Sequence, residues 1–154
     1  MVRSERSVLT DIRLATPADL PAVQEIVETS YAQYIPLIGR RPAPMDADYA
    51  AAIEAGQLYV LGHPTLGCLV MFPDGDAIEI DMIAVSPEAQ GQGIGRKLLD
   101  FAADHARSTG RSKLTLYTNA KMARNVVIYQ KYGFTITHRA TVDGFDRIFM
   151  EMAV

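Results

Sequence analysis

The chain has 154 residues, 49% apolar and 21% charged, with a formal net charge of −3; this suffices for one soluble domain with its own core, and no clustered basic patch suggests a nucleic-acid partner. No apolar run approaches the ~20 residues of a membrane span, and the first ten residues lack a signal-peptide core. The single cysteine, Cys68, has no internal disulfide partner and lies in an apolar run, so it reads as a core residue of a cytoplasmic protein.

Residues 1–10 read as a flexible arm ahead of one domain at 11–154. Asp11 to Ala15 is a short strand candidate. Thr16-Pro17-Ala18-Asp19 then supplies an N-cap, a proline at the first helical position and an acid at the third. The helix that follows carries Leu20, Val23, Ile26 and Val27 on one face and runs to about Ser30. Tyr31 to Asp46 contains Pro36, Pro42 and Pro44 with little periodic pattern, and predicts a long loop. Such a loop is either functional, with Tyr34, Arg40 and Arg41 as its polar candidates, or a rigid surface crossing. A short helix from about Asp46 to Ala55 ends at Gly56.

Three strands follow: Gln57–Gly62, Leu66–Phe72 and Ala77–Val85. Gly62-His63-Pro64 and Pro73-Asp74-Gly75-Asp76 separate them, making them antiparallel neighbours, with His63 a solvated turn residue. Strict alternation in the third puts Glu79, Asp81, Ile83 and Val85 on one face and Ile78, Ile80, Met82 and Ala84 on the other. Acids at alternate positions of so apolar a strand face either water near a sheet edge or a polar cleft.

Ser86-Pro87 stops that strand, and Gly91, Gly93 and Gly95 follow. From Ile94 the positions Ile94, Leu98, Leu99, Ala102 and Ala106 recur at helical spacing to about Ser108, with Gly110 beyond, so a helix begins inside the glycine loop. Unpartnered first-turn amides and the helix dipole attract phosphate there, and Arg96 adds a charge; the alternative is a tight turn that the glycines merely ease. A nucleotide-triphosphate loop is absent, and the glycine spacing is not that of a dinucleotide fingerprint. His105 has no second ligand at metal spacing.

Lys113 to Thr118 reads as a strand, and Met122 to Tyr132 as a helix ended by Gly133, with Met122, Asn125 and Tyr129 on one face. The Tyr129 hydroxyl is either a proton donor or the polar tip of a packed ring. Phe134 to Val142 and Phe145 to Met152 form a hairpin through Asp143-Gly144, with His138 and Arg139 either on a solvated face or against an acceptor or partner.

Gln90-x-x-Gly93-x-Gly95, preceded by Ile83-Ala84-Val85 and followed by Tyr129-x-x-x-Gly133-Phe134, resembles the GNAT superfamily of acyl-CoA-dependent N-acetyltransferases, over about residues 11–152. The resemblance implies an α/β (α+β) fold: a mixed, largely antiparallel sheet of six or seven strands, splayed at its central strands and flanked by about four helices. It implies acetyl-CoA as co-substrate, no metal, and direct acetyl transfer to the primary amine of a small molecule or peptide. By the same likeness Ile83, Ala84 and Val85 form the pantetheine edge, and Gln90, Gly91, Gln92, Gly93, Ile94, Gly95 and Arg96 hold the pyrophosphate. Glu79 takes the place of the base, with Asp81 the alternate should a bulge change the parity. Tyr129 protonates the leaving thiolate. Separately from the likeness, the loop's own residues make Tyr34, Arg40 and Arg41 the candidates to face the acceptor if that loop is functional, the arginines suiting a carboxylate. Where the family usually has an asparagine seven residues before the tyrosine, this chain has Met122, and Asn125 or Asn119 is the substitute. The resemblance is compatible with a homodimer. The rival from another class is a non-catalytic acyl-CoA-binding or sensing domain.

Overall fold

A computed structural model describes residues 11–154, so the arm expected at 1–10 lies outside the described residues. The start signals are used as the sequence suggests. Thr16 donates its N–H to the Asp19 carboxylate at 2.7 Å while the Asp19 N–H bonds back to the Thr16 carbonyl at 2.9 Å. That box closes a 3₁₀ turn, Pro17–Asp19, which leads into helix α1, Leu20–Tyr31. Asp19 also receives both ends of the Arg13 guanidinium from strand β1, Ile12–Leu14, at 2.8 and 2.9 Å.

The predicted long loop is instead a chain of short turns: a 3₁₀ turn at Ala32–Tyr34, a one-turn helix α2 at Ile35–Ile38 and a second 3₁₀ turn at Ala43–Asp46. Pro36 and Pro44 sit at the starts of such turns, where a missing N–H costs no hydrogen bond, so the prolines that suggested irregular chain are helix starters here. Helix α3, Tyr49–Glu54, follows; the Asp48 carboxylate accepts the Ala51 N–H at 3.0 Å.

The remaining elements are β2 (Leu58–Leu61), β3 (Gly67–Asp74), β4 (Ala77–Val85), helix α4 (Ile94–Ser108), β5 (Lys113–Asn119), helix α5 (Ala123–Tyr132), β6 (Thr135–Val142) and β7 (Phe145–Ala153). The β6–β7 turn has Asp143 at φ 52° and Gly144 at φ 81°, the left-handed pair that such a two-residue hairpin requires. Among the described residues the sheet has seven strands in the order β1-β2-β3-β4-β5-β7-β6. Every neighbouring pair is antiparallel except β4 with β5.

Two apolar layers cover the sheet. One face packs Leu61, Leu69, Met71, Ile78, Ile80 and Leu114 under α4 and α5; the other packs Leu58, Val60, Cys68, Val70, Met82 and Ala84 under α1 and α3. Cys68 is fully buried, and burial pushes its thiol up to about 12, which leaves it inert packing.

Strand β4 breaks the expected alternation. Val70 pairs with Met82, but the next residue, Met71, pairs with Ile80, so Asp81 is an extra residue without a cross-strand partner. The faces exchange across this bulge. Ile78 and Ile80 lie under α4, whereas Met82 and Ala84 face α1, and Ile83 and Val85 turn to the α4 side. Ile83 and Val85 therefore do not share the face of Glu79, contrary to the strict-alternation reading.

Pairing between β4 and β5 covers only Ala77–Ile80 with Lys113–Leu116. Beyond it β5 continues against β7 alone, and the sheet opens between Asp81–Val85 and Tyr117–Asn119, as the splay expectation required. The Ser86 N–H reaches the Leu66 carbonyl at 2.8 Å, on the β3 side. By the two-residue period, the backbone groups of Ile83 and Val85 then face the opening.

Candidate active site

The opening holds a cleft of about 440 Å³. One wall is Ile83, Ala84 and Val85 of β4, continued by Gln90, Gly91, Gly93, Gly95 and Arg96; the facing wall is Asn125, Tyr129 and Tyr132 of α5, and Tyr31 and Tyr34 close the inner end. Ala84 turns its side chain into the core, so it reaches the cleft through its backbone.

The loop into α4 is bare by construction. Gly91 and Gly93 adopt φ of 85° and 77°, which only glycine takes without strain, and no atom stands within 4 Å of where a Cβ would project. Ile94, 2% exposed, pins the helix start into the core, so the first-turn amides are held toward the cleft end. Arg96 lies 5.9 Å from the Tyr132 ring centroid, adding a cation at the rim. Gln92 is exposed and does not line the cleft, so among the loop residues named from sequence it alone falls outside the wall.

The β4 edge carries two side-chain bonds in place of a neighbouring strand. Tyr31 donates its hydroxyl to the Ile83 carbonyl at 3.2 Å, and Gln90 donates Nε2 to the Val85 carbonyl at 3.4 Å. An edge of this kind accepts an extended amide-bearing chain by strand addition. The cleft thus offers a strand-like edge leading to a helix N-terminus, which suits a long molecule with amides at one end and phosphates at the other.

A second, smaller cavity of about 50 Å³ lies on the other side of the splay, lined by Asp81, Tyr117, Arg147, Phe145 and Pro42–Pro44. The two cavities share Tyr31, Ile83, Met122, Asn125 and Tyr129. Tyr129 sits where they meet, its ring edge-on to Phe134 at 5.8 Å. Burial, with Tyr34 nearby, raises its phenol well above the usual range, so it is a neutral donor throughout ordinary pH.

Asp81 lies in the small cavity because the bulge presents it there, and Tyr117 donates its hydroxyl to Asp81 Oδ1 at 3.4 Å. Glu79, the first sequence candidate for a base, lines neither cavity. Burial, reinforced by Asp81 and Asp74 and opposed by Arg147, raises the Glu79 carboxyl.

Other sequence candidates separate in the same way. Met122 and Asn125 line both cavities, with Met122 buried, while Asn119 lines only the small one and spends its Oδ1 on the Lys121 N–H at 2.9 Å. Tyr34 lines the cleft rather than the small cavity. Arg41 is not at the site: it braces the turns by pairing with Glu28 and Asp46, both at 3.0 Å. Arg40 lies over the Phe145 ring at 3.9 Å and donates to the Asp143 carbonyl, outside both cavities. Tyr117 and Arg147 went unnoticed in the sequence, and Tyr31 was named there only as the start of the loop segment. The signal for Tyr117 was alternation, since Leu114, Leu116 and Thr118 fill the core and leave Tyr117 on the opposite face of β5.

Comparison with known proteins agrees with this architecture. Residues 52–136 match the family described as "Acetyltransferase (GNAT) domain". The chain is 30% identical over 140 residues to the L-methionine sulfoximine/L-methionine sulfone acetyltransferase of Salmonella typhimurium, covering 82% of this chain and 80% of that one. It is 41% identical over 63 residues, 41% of this chain, to the mycothiol acetyltransferase of Beutenbergia cavernae, but spans only 21% of that relative's length. The PaiA N-acetyltransferase of Thermoplasma acidophilum, solved in complex with coenzyme A, has the same fold at a TM-score of 0.76 and 18% identity, with 94% of this chain and 98% of that one covered.

Proposed function

This chain belongs to the GNAT acetyltransferase family, and from that premise we propose that it moves an acetyl group from acetyl-CoA to a primary amine by direct attack in a ternary complex. The observation that carries the reading is the meeting of two unlike cavities at Tyr129: one walled by an open strand edge and a bare helix N-terminus, the other holding a carboxylate. The pantetheine amides would lie along Ile83 and Val85, and the pyrophosphate against the amides from Gly91 to Gly95, with Arg96 beside it.

In the small cavity the amine must first be neutral. For a lysine-like amine of pKa near 10.4 that costs about 4–5 kcal/mol at pH 7, and for an α-amine near pKa 8 about 1–1.5 kcal/mol. Asp81 takes this proton, directly or through a water, and later releases it to solvent. The nitrogen attacks the thioester carbonyl carbon, the C–S bond breaks, and the nitrogen loses its second proton. The sulfur leaves as a thiolate that takes a hydrogen bond, and then a proton, from Tyr129, whose phenol recovers the second proton lost by the nitrogen. One ammonium and one thioester thereby give one amide, one thiol and one proton. The relatives' names point to different acceptors and so leave the amine open.

The test is calorimetric titration of the full chain with acetyl-CoA, followed by an assay of amine-dependent thiol release over a panel of primary amines. Micromolar binding with amine-dependent release supports the proposal. Binding without release for any amine points instead to an acyl-CoA sensor, and no binding of any CoA species by folded protein overturns the reading.

A further inference from the structure

The small cavity holds two opposite charges that do not meet. Asp81 lines it from β4 and Arg147 from β7, and they form no ion pair with each other. Among the described residues Arg147 makes no ion pair, although its charge acts on Glu79 from a distance and works to lower that carboxyl. The acids nearest it on β7 are engaged elsewhere, Asp146 by Arg139 at 2.5 Å and Glu151 by Lys113 at 3.4 Å. Its guanidinium lies instead over the Tyr117 ring at 4.1 Å and 5.9 Å from the Phe145 centroid.

This arrangement holds the guanidinium against aromatic rings without an ion pair consuming its donors. Tyr117 supports it from below while giving its own hydroxyl to Asp81, so one ring sets the positions of both charges. The backbone holds the pair of elements in register, with Arg147 opposite Asn119 where β5 and β7 pair beyond the splay. Half-buried opposite charges that line a cavity of about 50 Å³ without neutralising each other invite a ligand carrying both signs.

We infer that the acceptor is a free α-amino acid, its amine at Asp81 and its carboxylate against Arg147. This rests on the acetyl-transfer reading above and names its substrate class. An arginine presents paired donors that match a carboxylate, whereas a plain alkylamine leaves Arg147 without a counter-charge and a peptide amine brings an amide where the carboxylate should sit. Arg147, rather than the Arg40 and Arg41 pair, is then the carboxylate-recognising arginine.

The experiment compares a set of amino acids with their carboxamides and decarboxylated amines, measuring kcat/KM by thiol release for the wild type, Arg147→Gln and Arg147→Lys. Acetyl-CoA titration first shows that each protein is folded. The wild type is expected to prefer at least one amino acid over its carboxamide by tenfold to a hundredfold. Arg147→Gln should bring that ratio near one through a raised KM for the amino acid, and Arg147→Lys should restore part of it. An equal or greater rate with carboxamides or peptide amines, or a ratio unmoved by Arg147→Gln, overturns the inference while leaving acetyl transfer intact. Absence of turnover with every amine overturns both.

Discussion

Gly95 separates what the glycine loop does for folding from what it does for binding. It lies in the first turn of α4, outside the left-handed region, and an added Cβ would meet only Val85 Cγ2, at an ordinary 3.8 Å. Nothing in the fold therefore requires glycine there, unlike Gly91 and Gly93 with their positive φ. Alanine in a helix is favoured over glycine by about 0.5–1 kcal/mol, which in a chain of this size raises Tm by about 1–4 °C. Yet Gly95 and Val85 both line the cleft, so the same methyl group would stand where a phosphate approaches the amides. Gly95→Ala should melt at or above the wild-type temperature while binding acetyl-CoA at least tenfold more weakly, a loss of about 1.4 kcal/mol. Thermal melting and calorimetric titration on the same preparation decide it. Wild-type affinity in the alanine variant would refute the close-approach argument, and a lowered Tm would refute the packing argument.

Three further outcomes are expected. Tyr129→Phe should keep acetyl-CoA affinity and lose about 10²–10³ in kcat, equally from pH 6 to 9 because the buried phenol stays neutral there; a pH-dependent deficit in steady-state assays would contradict the donor role. Asp81→Asn should lose about 10²-fold at pH 7 and recover toward pH 9, where solvent holds more amine neutral, while Glu79→Gln, lining neither cavity, should lose about tenfold or less; the reverse ranking in a pH–rate profile would return the base to Glu79. Hydrogen bonding from Arg13 holds the Asp19 carboxyl down to about 2 against an ordinary 3.8, so its stabilisation is complete above about pH 4 and is lost as pH falls through 2. Because Arg13 is 41% exposed, solvent screening leaves this pair worth only about 1 kcal/mol. The Tm gap between wild type and Asp19→Asn should accordingly narrow as pH falls from 5 to 2, and a gap as wide at pH 2 as at pH 5 would refute the ion-pair account.

The fold was legible wherever backbone chemistry punctuates the chain. Thr16-Pro17, the glycine loop before Ile94 and Asp143-Gly144 each state a local geometry that no tertiary contact overrides, and each stands where the sequence put it. The Tyr31–Asp46 segment was misjudged because prolines that terminate one turn also start the next, and only the tertiary path decides between the two. Arg40 and Arg41 were chosen for charge in a loop beside the site, but charge alone does not say which acid is near. Glu28, thirteen positions back along α1, claims Arg41. Arg147 was invisible because its partners are rings on Tyr117 and Phe145, brought together by the β5–β7 register rather than by spacing in sequence.

The bulge at Asp81 ties the fold to the site. Under strict alternation Ile83 and Val85 would lie with the acids, and one face of β4 would have to serve as both apolar cleft wall and carboxylate pocket. The extra residue removes that conflict. Ile83 and Val85 turn toward α4 and wall the cleft, while Asp81 is left over on the opposite side, in the small cavity. Pairing with β5 ends at Ile80, immediately before the bulge, so the strand gains its open edge at the point where its faces exchange. A bulge increases local twist, which gives a physical reason for the strands to part there. The cleft, the carboxylate and the open edge are thus consequences of one inserted residue, and Tyr129 meets both cavities because the splay begins beside it.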